Sequence, residues 1–252
     1  SFGRGQDYLR LSVTDRCNFR CTYCLPPEGV SLCQAKDLLG FDEIEAVVRA
    51  FAGLGVRKVR LTGGEPLLRL GLPELVERLL RIPGIQELGL TTNWDRLASQ
   101  AGPLREAGLE GVNVSIDSLE PSRFRRVTGG GSLERVWEGI LEALASGLKV
   151  KLNCVVLSDL HFDEVRRFVA LAKALPVAVR FIEFMPLCGE RWDTRAFVPL
   201  QGIEDRLRVQ WPRVMEPIEG EPSDGVARRF RVLDGAGELG FIASTSRPFC
   251  DR

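Results

Sequence analysis

Three cysteines are the side chains of this sequence best suited to chemistry. Cys17, Cys21 and Cys24 lie within eight residues, at positions i, i+4 and i+7. Thiolates at this spacing can converge on one metal centre, but a structural zinc site takes four ligands, usually from two CxxC pairs. No fourth cysteine or histidine lies nearby, because Cys33 follows a loop with two prolines. On a four-iron cluster, three thiolates leave one iron open to a substrate or cofactor.

The composition excludes several other classes of function. The 252 residues contain one histidine, His161, which excludes mechanisms that need two. Lys plus Arg and Asp plus Glu are both 34, so a basic nucleic-acid binder is disfavoured. No uncharged stretch is longer than eight residues, too short for a transmembrane helix. Seven cysteines without a signal peptide indicate a reducing compartment, so we expect a cytoplasmic protein, or a mitochondrial one if eukaryotic, bound to neither membrane nor nucleic acid.

The elements that must position these cysteines alternate along the chain. Apolar, β-branched runs predict strands, and stretches with apolar residues at helical spacing predict helices between them. Such repeats favour a parallel sheet, either barrel or doubly wound. The predicted strands are 8–14, 57–62, 87–92, 111–117, 149–157 and 179–185, and the predicted helices are 41–54, 73–80, 96–107, 133–145, 162–175 and 201–209. Residues 214–252 predict a few antiparallel strands, so we expect a main domain over 1–210 and a β-rich extension over 211–252.

The alternation within the strands separates an apolar face from a polar, cationic one. Successive side chains of a strand point to opposite faces, so Val59 and Leu61 oppose their charged neighbours. Burying such cations without water would cost several kcal/mol each. We therefore expect this face to be open to water and a polyanionic ligand, with ion pairs or exposed strand ends as the alternative. Its cations are Arg10, Lys58, Arg60, Lys151 and Arg180.

Two motifs at the ends of consecutive strands resemble a known family. The CxxxCxxC motif after the first strand and Thr62-Gly63-Gly64-Glu65-Pro66 after the second resemble the radical S-adenosylmethionine (SAM) enzymes. Within that superfamily, further segments are similar to the MoaA family, the GTP 3′,8-cyclases of molybdenum cofactor biosynthesis. These segments are 7–24, 59–66, 90–93, 112–117 and 180–185. The resemblance implies an α/β fold, a partial (β/α)6 TIM-like radical SAM barrel with a small C-terminal β-rich extension.

The resemblance also implies a role for each matching residue. Cys17, Cys21 and Cys24 would ligate a 4Fe–4S cluster. SAM would be bound by Tyr23, Gly63, Gly64, Glu65, Ser115 and Met185. GTP would be bound by Arg10, Lys58, Arg60, Thr91, Lys151 and Arg180.

The implied reaction is a radical cyclisation. The reduced cluster would cleave SAM to methionine and a 5′-deoxyadenosyl radical, which takes hydrogen from C3′ of GTP before C3′ attacks C8. The radical chemistry belongs to SAM and the cluster, so no catalytic side chain is expected. The implied partners are a flavodoxin- or ferredoxin-type reductant and a MoaC-like downstream enzyme. A homodimer is left open.

The sequence departs from the family at three places, one of which is Asp159-Leu160-His161, in a loop that is usually rich in glycine and asparagine. The family carries a second 4Fe–4S cluster, and Phe249-Cys250-Asp251-Arg252 resembles the start of its cysteine motif, where the sequence stops. We expect either a fragment or a natural form without that cluster. Trp94 stands where the family usually has glycine, so we expect it to strain the turn or narrow the pocket mouth. The alternative functions are another radical SAM reaction, such as peptide maturation, and a non-catalytic fragment.

Overall fold

The computed structural model describes residues 6–24, 29–95, 98–185, 194–213, 215–219 and 226–247. The chain forms two compact units. Unit 1 comprises Ser1–Arg20, Leu25–Val114 and Gly130–Val150, and unit 2 comprises Cys21–Cys24, Ser115–Gly129 and Lys151–Arg252. No helix within the described ranges is long and apolar enough to cross a membrane.

Strands and helices alternate in chain order through most of the sequence, and the strands gather at its C-terminal end. The elements are β1 (Tyr8–Ser12), α1 (Phe41–Gly53), β2 (Lys58–Thr62), α2 (Leu72–Leu80), β3 (Glu87–Thr92), α3 (Ala101–Glu106), β4 (Gly111–Ser115), α4 (Pro121–Thr128), α5 (Leu133–Ala145), β5 (Lys149–Val156), α6 (Phe162–Ala174), β6 (Val177–Glu183), α7 (Leu200–Gln210), β7 (Met215–Pro217), β8 (Arg228–Val232) and β9 (Glu238–Ile242).

Unit 1 is built on the parallel strands β1, β2, β3 and β4, in that order. In β2 and β3 alternate residues are buried, because one face of each of these strands is apolar. Val59, Leu61 and Leu90 are at most 2% exposed, whereas Lys58 and Arg60, the charged residues of β2, are not buried. Helix α2 buries a stripe at helical spacing, from Leu72 to Leu79. Because the apolar side chains of these strands face this helical layer, the side chains between them face the opposite side of the sheet.

Unit 2 has the strand order β5, β6, β9, β8, β7. Its core contains a stack of phenylalanines, in which the rings of Phe181 and Phe241 lie 5.7 Å apart. Strand β9 pairs in parallel with β6, and β8 pairs antiparallel with β9 and β7. The predicted antiparallel strands of the C-terminal extension are therefore confirmed, and β9 in addition pairs in parallel with β6, which was not predicted. The predicted division at residue 210 stays a prediction.

The α/β class and the parallel sheet predicted from the sequence are confirmed, with strand and helix ends shifted by a few residues at most sites. Helix α4 was not predicted, because it has only eight residues, three of them arginines, and its apolar side is limited to Phe124 and Val127. Its start is instead stabilised by Glu120, whose side chain accepts hydrogen bonds from the backbone N–H groups of Ser122 and Arg123. Residues 96 and 97, where the third helix was predicted to begin, lie outside the described residues.

Candidate active site

The Gly63-Gly64 turn after β2 lies directly against the segment that leads into Cys17. The Gly64 N–H donates to the Thr14 carbonyl at 2.7 Å, and the Glu65 N–H donates to the Arg16 carbonyl at 2.7 Å. A Cβ atom on Gly63, whose φ is +153°, would overlap the Thr14 carbonyl oxygen. A Cβ atom on Gly64 would overlap the Arg16 carbonyl oxygen. The two glycines are therefore required by this backbone approach, whatever else they contact.

Glu65 holds the end of β2 to the end of β3. The side chain is 2% exposed. Its carboxylate accepts hydrogen bonds from Leu67 N–H at 3.1 Å, Thr92 Oγ1 at 2.6 Å and Asn93 N–H at 2.7 Å. Burial raises the pKa of Glu65 to about 7, although these three hydrogen bonds favour the ionised form. Direct contact between Glu65 and SAM stays a prediction.

The sulfur of Cys17 lies in a polar network within unit 1. Phe19 N–H donates to Cys17 Sγ at 3.4 Å, and Asn93 Nδ2 donates to it at 3.8 Å. Arg20 turns back on the loop and donates to the Cys17 carbonyl at 2.7 Å. Burial raises the pKa of the Cys17 thiol, and the Phe19 N–H opposes this shift. The network thus supplies donors to a sulfur that would otherwise be desolvated.

In unit 2, the hydroxyl of Tyr23 is hydrogen-bonded to the buried carboxylate of Asp117. The hydroxyl donates to Asp117 Oδ2 at 2.7 Å, and the Val155 N–H donates to Asp117 Oδ1 at 2.8 Å. Asp117 follows the end of β4 and is 2% exposed. Burial raises the pKa of Asp117 to about 6 and raises the pKa of Tyr23 well above its usual value. Asp117 therefore fixes the orientation of the Tyr23 side chain, which lies between Cys21 and Cys24 in the sequence.

The donor chemistry of the cysteine loop fits an iron–sulfur cluster. Cys17 and Cys21 are half-buried and Cys24 is exposed, and the Cys24 N–H donates to the Cys21 carbonyl at 2.9 Å. Within the described part of the chain, no group of three or more His, Cys, Asp and Glu side chains is arranged to hold a single metal ion. Three thiols with hydrogen-bond donors at one sulfur suit a cluster, in which each cysteine binds a different iron.

The polar face of unit 1 carries the side chains of this unit that the sequence predicted to bind GTP. Arg10 and Arg60 are register partners on β1 and β2. The Arg60 guanidinium lies over Gly89, where a Cβ atom would come within 2.9 Å of it, and its Nε donates to Tyr8 Oη at 2.8 Å. Glycine at position 89 thus leaves room for a fixed arginine. Lys58 forms an ion pair with Glu87 at 3.0 Å, and Thr91 is half-buried on β3.

The remaining predicted site residues have different outcomes. In unit 2, Ser115, Lys151, Arg180 and Met185 are all half-buried. Cys250 lies outside the described residues. The sequence reasoning gave no role to Asp117 or Asn93, although a polar residue directly after a parallel strand is a signal for a site. Their roles in ligand binding, and those of the predicted residues, stay proposals.

Sequence reasoning also missed Glu183 at the end of β6, which is 1% exposed. Its carboxylate accepts hydrogen bonds from the N–H groups of Leu200, Thr245 and Ser246, and from the Ser246 hydroxyl. Although burial opposes it, these bonds lower the pKa of Glu183. Glu183 therefore joins the start of α7 and the segment after β9 to the end of β6.

Fold and motifs together define the class of protein. The family model of the Radical SAM superfamily matches residues 11–172, and the model Molybdenum Cofactor Synthesis C matches residues 177–252. The chain superposes on the structure of native anSMEcpe with bound AdoMet with a TM-score of 0.65 at 19% identity, covering 81% of this chain and 61% of that one. For Streptococcus suis SuiB bound to S-adenosylmethionine the TM-score is 0.62 at 17% identity, covering 81% and 48%. The chain belongs to the radical SAM superfamily, whose cofactors are a 4Fe–4S cluster and SAM.

Within the superfamily, the curated relatives narrow the family. The chain is 46% identical to the GTP 3′,8-cyclase of Pelotomaculum thermopropionicum and 43% identical to that of Moorella thermoacetica, covering 100% of this chain and 78% of each relative. It is 43% identical to molybdenum cofactor biosynthesis protein 1 of Bos taurus, covering 99% of this chain and 39% of that protein. The chain therefore belongs to the GTP 3′,8-cyclase family, and the resemblance stated from the sequence is confirmed.

Proposed function

We propose that this protein is a GTP 3′,8-cyclase, a radical SAM lyase that converts GTP to (8S)-3′,8-cyclo-7,8-dihydroguanosine 5′-triphosphate in molybdenum cofactor biosynthesis. The observation that carries the proposal is the end-to-end similarity to two curated cyclases, each matched over 78% of its length. The two solved structures are only 17% and 19% identical to this chain and support the fold alone.

The cysteine loop and the two strand ends would hold the cofactors. Cys17, Cys21 and Cys24 would hold the 4Fe–4S cluster, which together with SAM supplies the one-electron chemistry that starts the reaction. The residues proposed to bind SAM are Tyr23, Gly63, Gly64, Glu65, Ser115 and Met185. Among these, Glu65 already accepts three hydrogen bonds from the protein, so in addition to its proposed contact with SAM it fixes the turn that carries Gly63 and Gly64.

The cationic residues would bind the triphosphate and position the ribose. Arg10 and Arg60 lie side by side on one face of unit 1, and the geometry of a guanidinium suits bidentate contacts to phosphate. Arg60 is already oriented by Tyr8 and Gly89, which reduces the entropy lost when a ligand binds. The other residues proposed to bind GTP are Lys58, Thr91, Lys151 and Arg180.

The test follows hydrogen from the substrate. The chain would be reconstituted anaerobically with iron and sulfide and given SAM, dithionite and GTP deuterated at C3′. Mass spectrometry would then measure deuterium in 5′-deoxyadenosine. Deuterated product supports the cyclase reaction, because the label can come only from C3′. Unlabelled 5′-deoxyadenosine would point to another radical SAM substrate, and no product from a cluster-loaded chain would overturn the enzymatic function.

A pair of arginine variants separates substrate binding from the general charge of the protein. Arg60→Met removes a guanidinium from the proposed phosphate site, and Arg49→Met removes an exposed one that pairs with Glu45 on α1. A charge-assisted hydrogen bond contributes about 1.5–3 kcal/mol, so Arg60→Met should reduce deuterium transfer about 10- to 160-fold. GTP-independent cleavage of SAM should persist in both variants. Equal activity of Arg60→Met and Arg49→Met would contradict the assignment.

The finer statements about partners are proposals as well. We infer that a flavodoxin- or ferredoxin-type protein reduces the cluster in the cytoplasm, or in the mitochondrial matrix of a eukaryote, and that a MoaC-like enzyme consumes the product. By the family resemblance, Cys250 would contribute one ligand to a second 4Fe–4S cluster, most of whose ligands are missing from this sequence, and a single thiolate cannot hold a cluster. Sedimentation would show whether a homodimer forms.

A further inference from the structure

The carboxamide of Asn93 lies at the carboxyl end of β3, next to the sulfur of Cys17. Its Oδ1 accepts the Asp95 N–H at 3.2 Å. Its Nδ2 donates to Asn18 Oδ1 at 2.9 Å and to Cys17 Sγ at 3.8 Å. An N–H group can only donate, so the bond from Asp95 fixes which end of the amide is oxygen. Both hydrogens of Nδ2 are then accounted for, one on Asn18 and one on the sulfur.

The neighbour of this amide is oriented in the same way. Asn18 Nδ2 donates to Asp95 Oδ2 at 3.0 Å, and a carboxylate can only accept. Asn18 must therefore turn its oxygen to Asn93. Neither amide can rotate without losing a hydrogen bond. The N–H that faces Cys17 is therefore held there by the contacts of Asn93 with the Asp95 N–H and with Asn18 Oδ1.

The backbone on both sides of Asn93 is also fixed. Glu65 accepts the Asn93 N–H at 2.7 Å. Trp94 adopts a φ of +57°, and its N–H donates to Thr92 Oγ1 at 3.0 Å. The indole of Trp94 is fully buried against Gly139. Asn93 itself is 8% exposed, so water competes little for its amide.

We propose that Asn93 is a positioning residue for the Cys17 sulfur, and that its N–H···S hydrogen bond raises the reduction potential of the cluster that Cys17 holds. The proposal rests on the proposed function, since it takes Cys17 to be a cluster ligand. Reduction adds one electron, and part of the added charge resides on the thiolate sulfurs. A hydrogen-bond donor at a sulfur stabilises the reduced state more than the oxidised one, so its loss shifts the potential to more negative values.

The test measures the potential rather than turnover. Asn93→Leu keeps the approximate size of the side chain and removes the donor. Asn113→Leu is the matched control, because Asn113 is also 8% exposed and lies on the neighbouring strand β4. Both variants and the unaltered chain would be reconstituted, assayed for iron and titrated with EPR detection. The signal to follow is that of the cluster whose spectrum changes when SAM is added.

We expect a more negative midpoint potential for Asn93→Leu at unchanged iron content, and an unchanged potential for Asn113→Leu. If Asn93→Leu does not fold or load iron, Asn93→Asp decides, because it keeps the size and loses the donor. Its control is Asn113→Asp, which adds the same charge. A potential equal to that of the unaltered chain in the loaded Asn93 variant, or an equal shift in the matching Asn113 variant, overturns the proposal. Absence of any SAM-responsive cluster in the unaltered chain would overturn the proposed function as well, which distinguishes the two failures.

Discussion

The contact between Trp94 and Gly139 predicts a strong coupling between two substitutions. Gly139 lies inside α5, where Gly→Ala normally stabilises a helix by about 1 kcal/mol. Here a methyl group would fall inside the indole ring of Trp94, with Cγ at 3.0 Å and other ring atoms nearer. The indole is fully buried and cannot move to solvent. Overpacking of this kind costs about 1–3 kcal/mol, and the complete overlap indicates the upper end. An overpacking cost of about 3 kcal/mol less the helix gain of about 1 kcal/mol gives an expected net destabilisation of about 2 kcal/mol for Gly139→Ala.

Removing the indole should reverse the sign of that effect. Trp94→Gly leaves a cavity that costs about 3–5 kcal/mol, partly offset because glycine relieves the positive φ at this position. In this background the methyl group of Gly139→Ala enters empty space and stabilises by about 1 kcal/mol. The coupling between the two substitutions is then about 3 kcal/mol.

The assay is urea unfolding of the two single variants and the double variant, followed by far-UV circular dichroism. Gly202→Ala is the matched control, because Gly202 lies in α7 and a methyl group added there would have no atom within 4 Å. It should be neutral or stabilising. A stabilising Gly139→Ala in the unaltered chain, or additive effects in the double variant, would refute the packing argument.

Three other predictions concern the buried carboxylates. Glu65→Ala leaves two buried N–H groups and the Thr92 hydroxyl without their acceptor, so the free energy of unfolding should fall by at least about 3 kcal/mol in urea titrations. Because the pKa of Glu65 is raised to about 7 from an ordinary value of 4.5, its contribution to stability is complete below pH 4.5 and is lost as pH rises through 7. The stability of Glu65→Gln relative to the unaltered chain should therefore increase between pH 5 and pH 7.5. Tyr23→Phe removes the hydroxyl that donates a hydrogen bond to Asp117, and it should lower the free energy of unfolding by about 1–3 kcal/mol.

Each of these has an outcome that contradicts it. An unfolding free energy of Glu65→Ala within 1 kcal/mol of the unaltered value would mean that water replaces the carboxylate at no cost. A stability difference for Glu65→Gln that is constant with pH would show that burial does not shift the Glu65 titration. Tyr8→Phe is the control for Tyr23→Phe, since Tyr8 is 41% exposed, and equal losses in the two variants would remove the special role of Asp117.

Local patterns allowed much of unit 1 to be predicted. The alternation in β2 placed Lys58 and Arg60 on one face, because strand parity depends only on neighbouring residues. The parallel pairing of β9 with β6 could not be predicted in this way, since it joins residues about 60 positions apart. Helix α4 was missed because its start depends on a cap at Glu120 rather than on apolar spacing.

At Trp94, where the family usually has glycine, the sequence predicted the backbone conformation but not the place of the side chain. The positive φ expected at this position is present. The expectation that the indole narrows a pocket mouth is wrong, because the ring is fully buried in unit 1. The space for it is made by the missing side chain of Gly139, 45 positions further along the chain. No local rule connects these two residues, and only the packing of α5 reveals that they fit together.

The Gly63-Gly64-Glu65-Pro66 motif is, by itself, weaker evidence for SAM binding than its match to the family pattern suggests. Gly63 and Gly64 are required by the carbonyl oxygens of Thr14 and Arg16, and the carboxylate of Glu65 is required by donors from the end of β3. These contacts would constrain the same residues in a protein that bound no SAM. Besides the contacts with SAM proposed above, they fix the backbone of Asn93 and so the donor that faces Cys17. The motif therefore acts on the cysteine loop through the protein itself, which is why substitutions at Glu65 should alter the environment of Cys17 even in the absence of SAM.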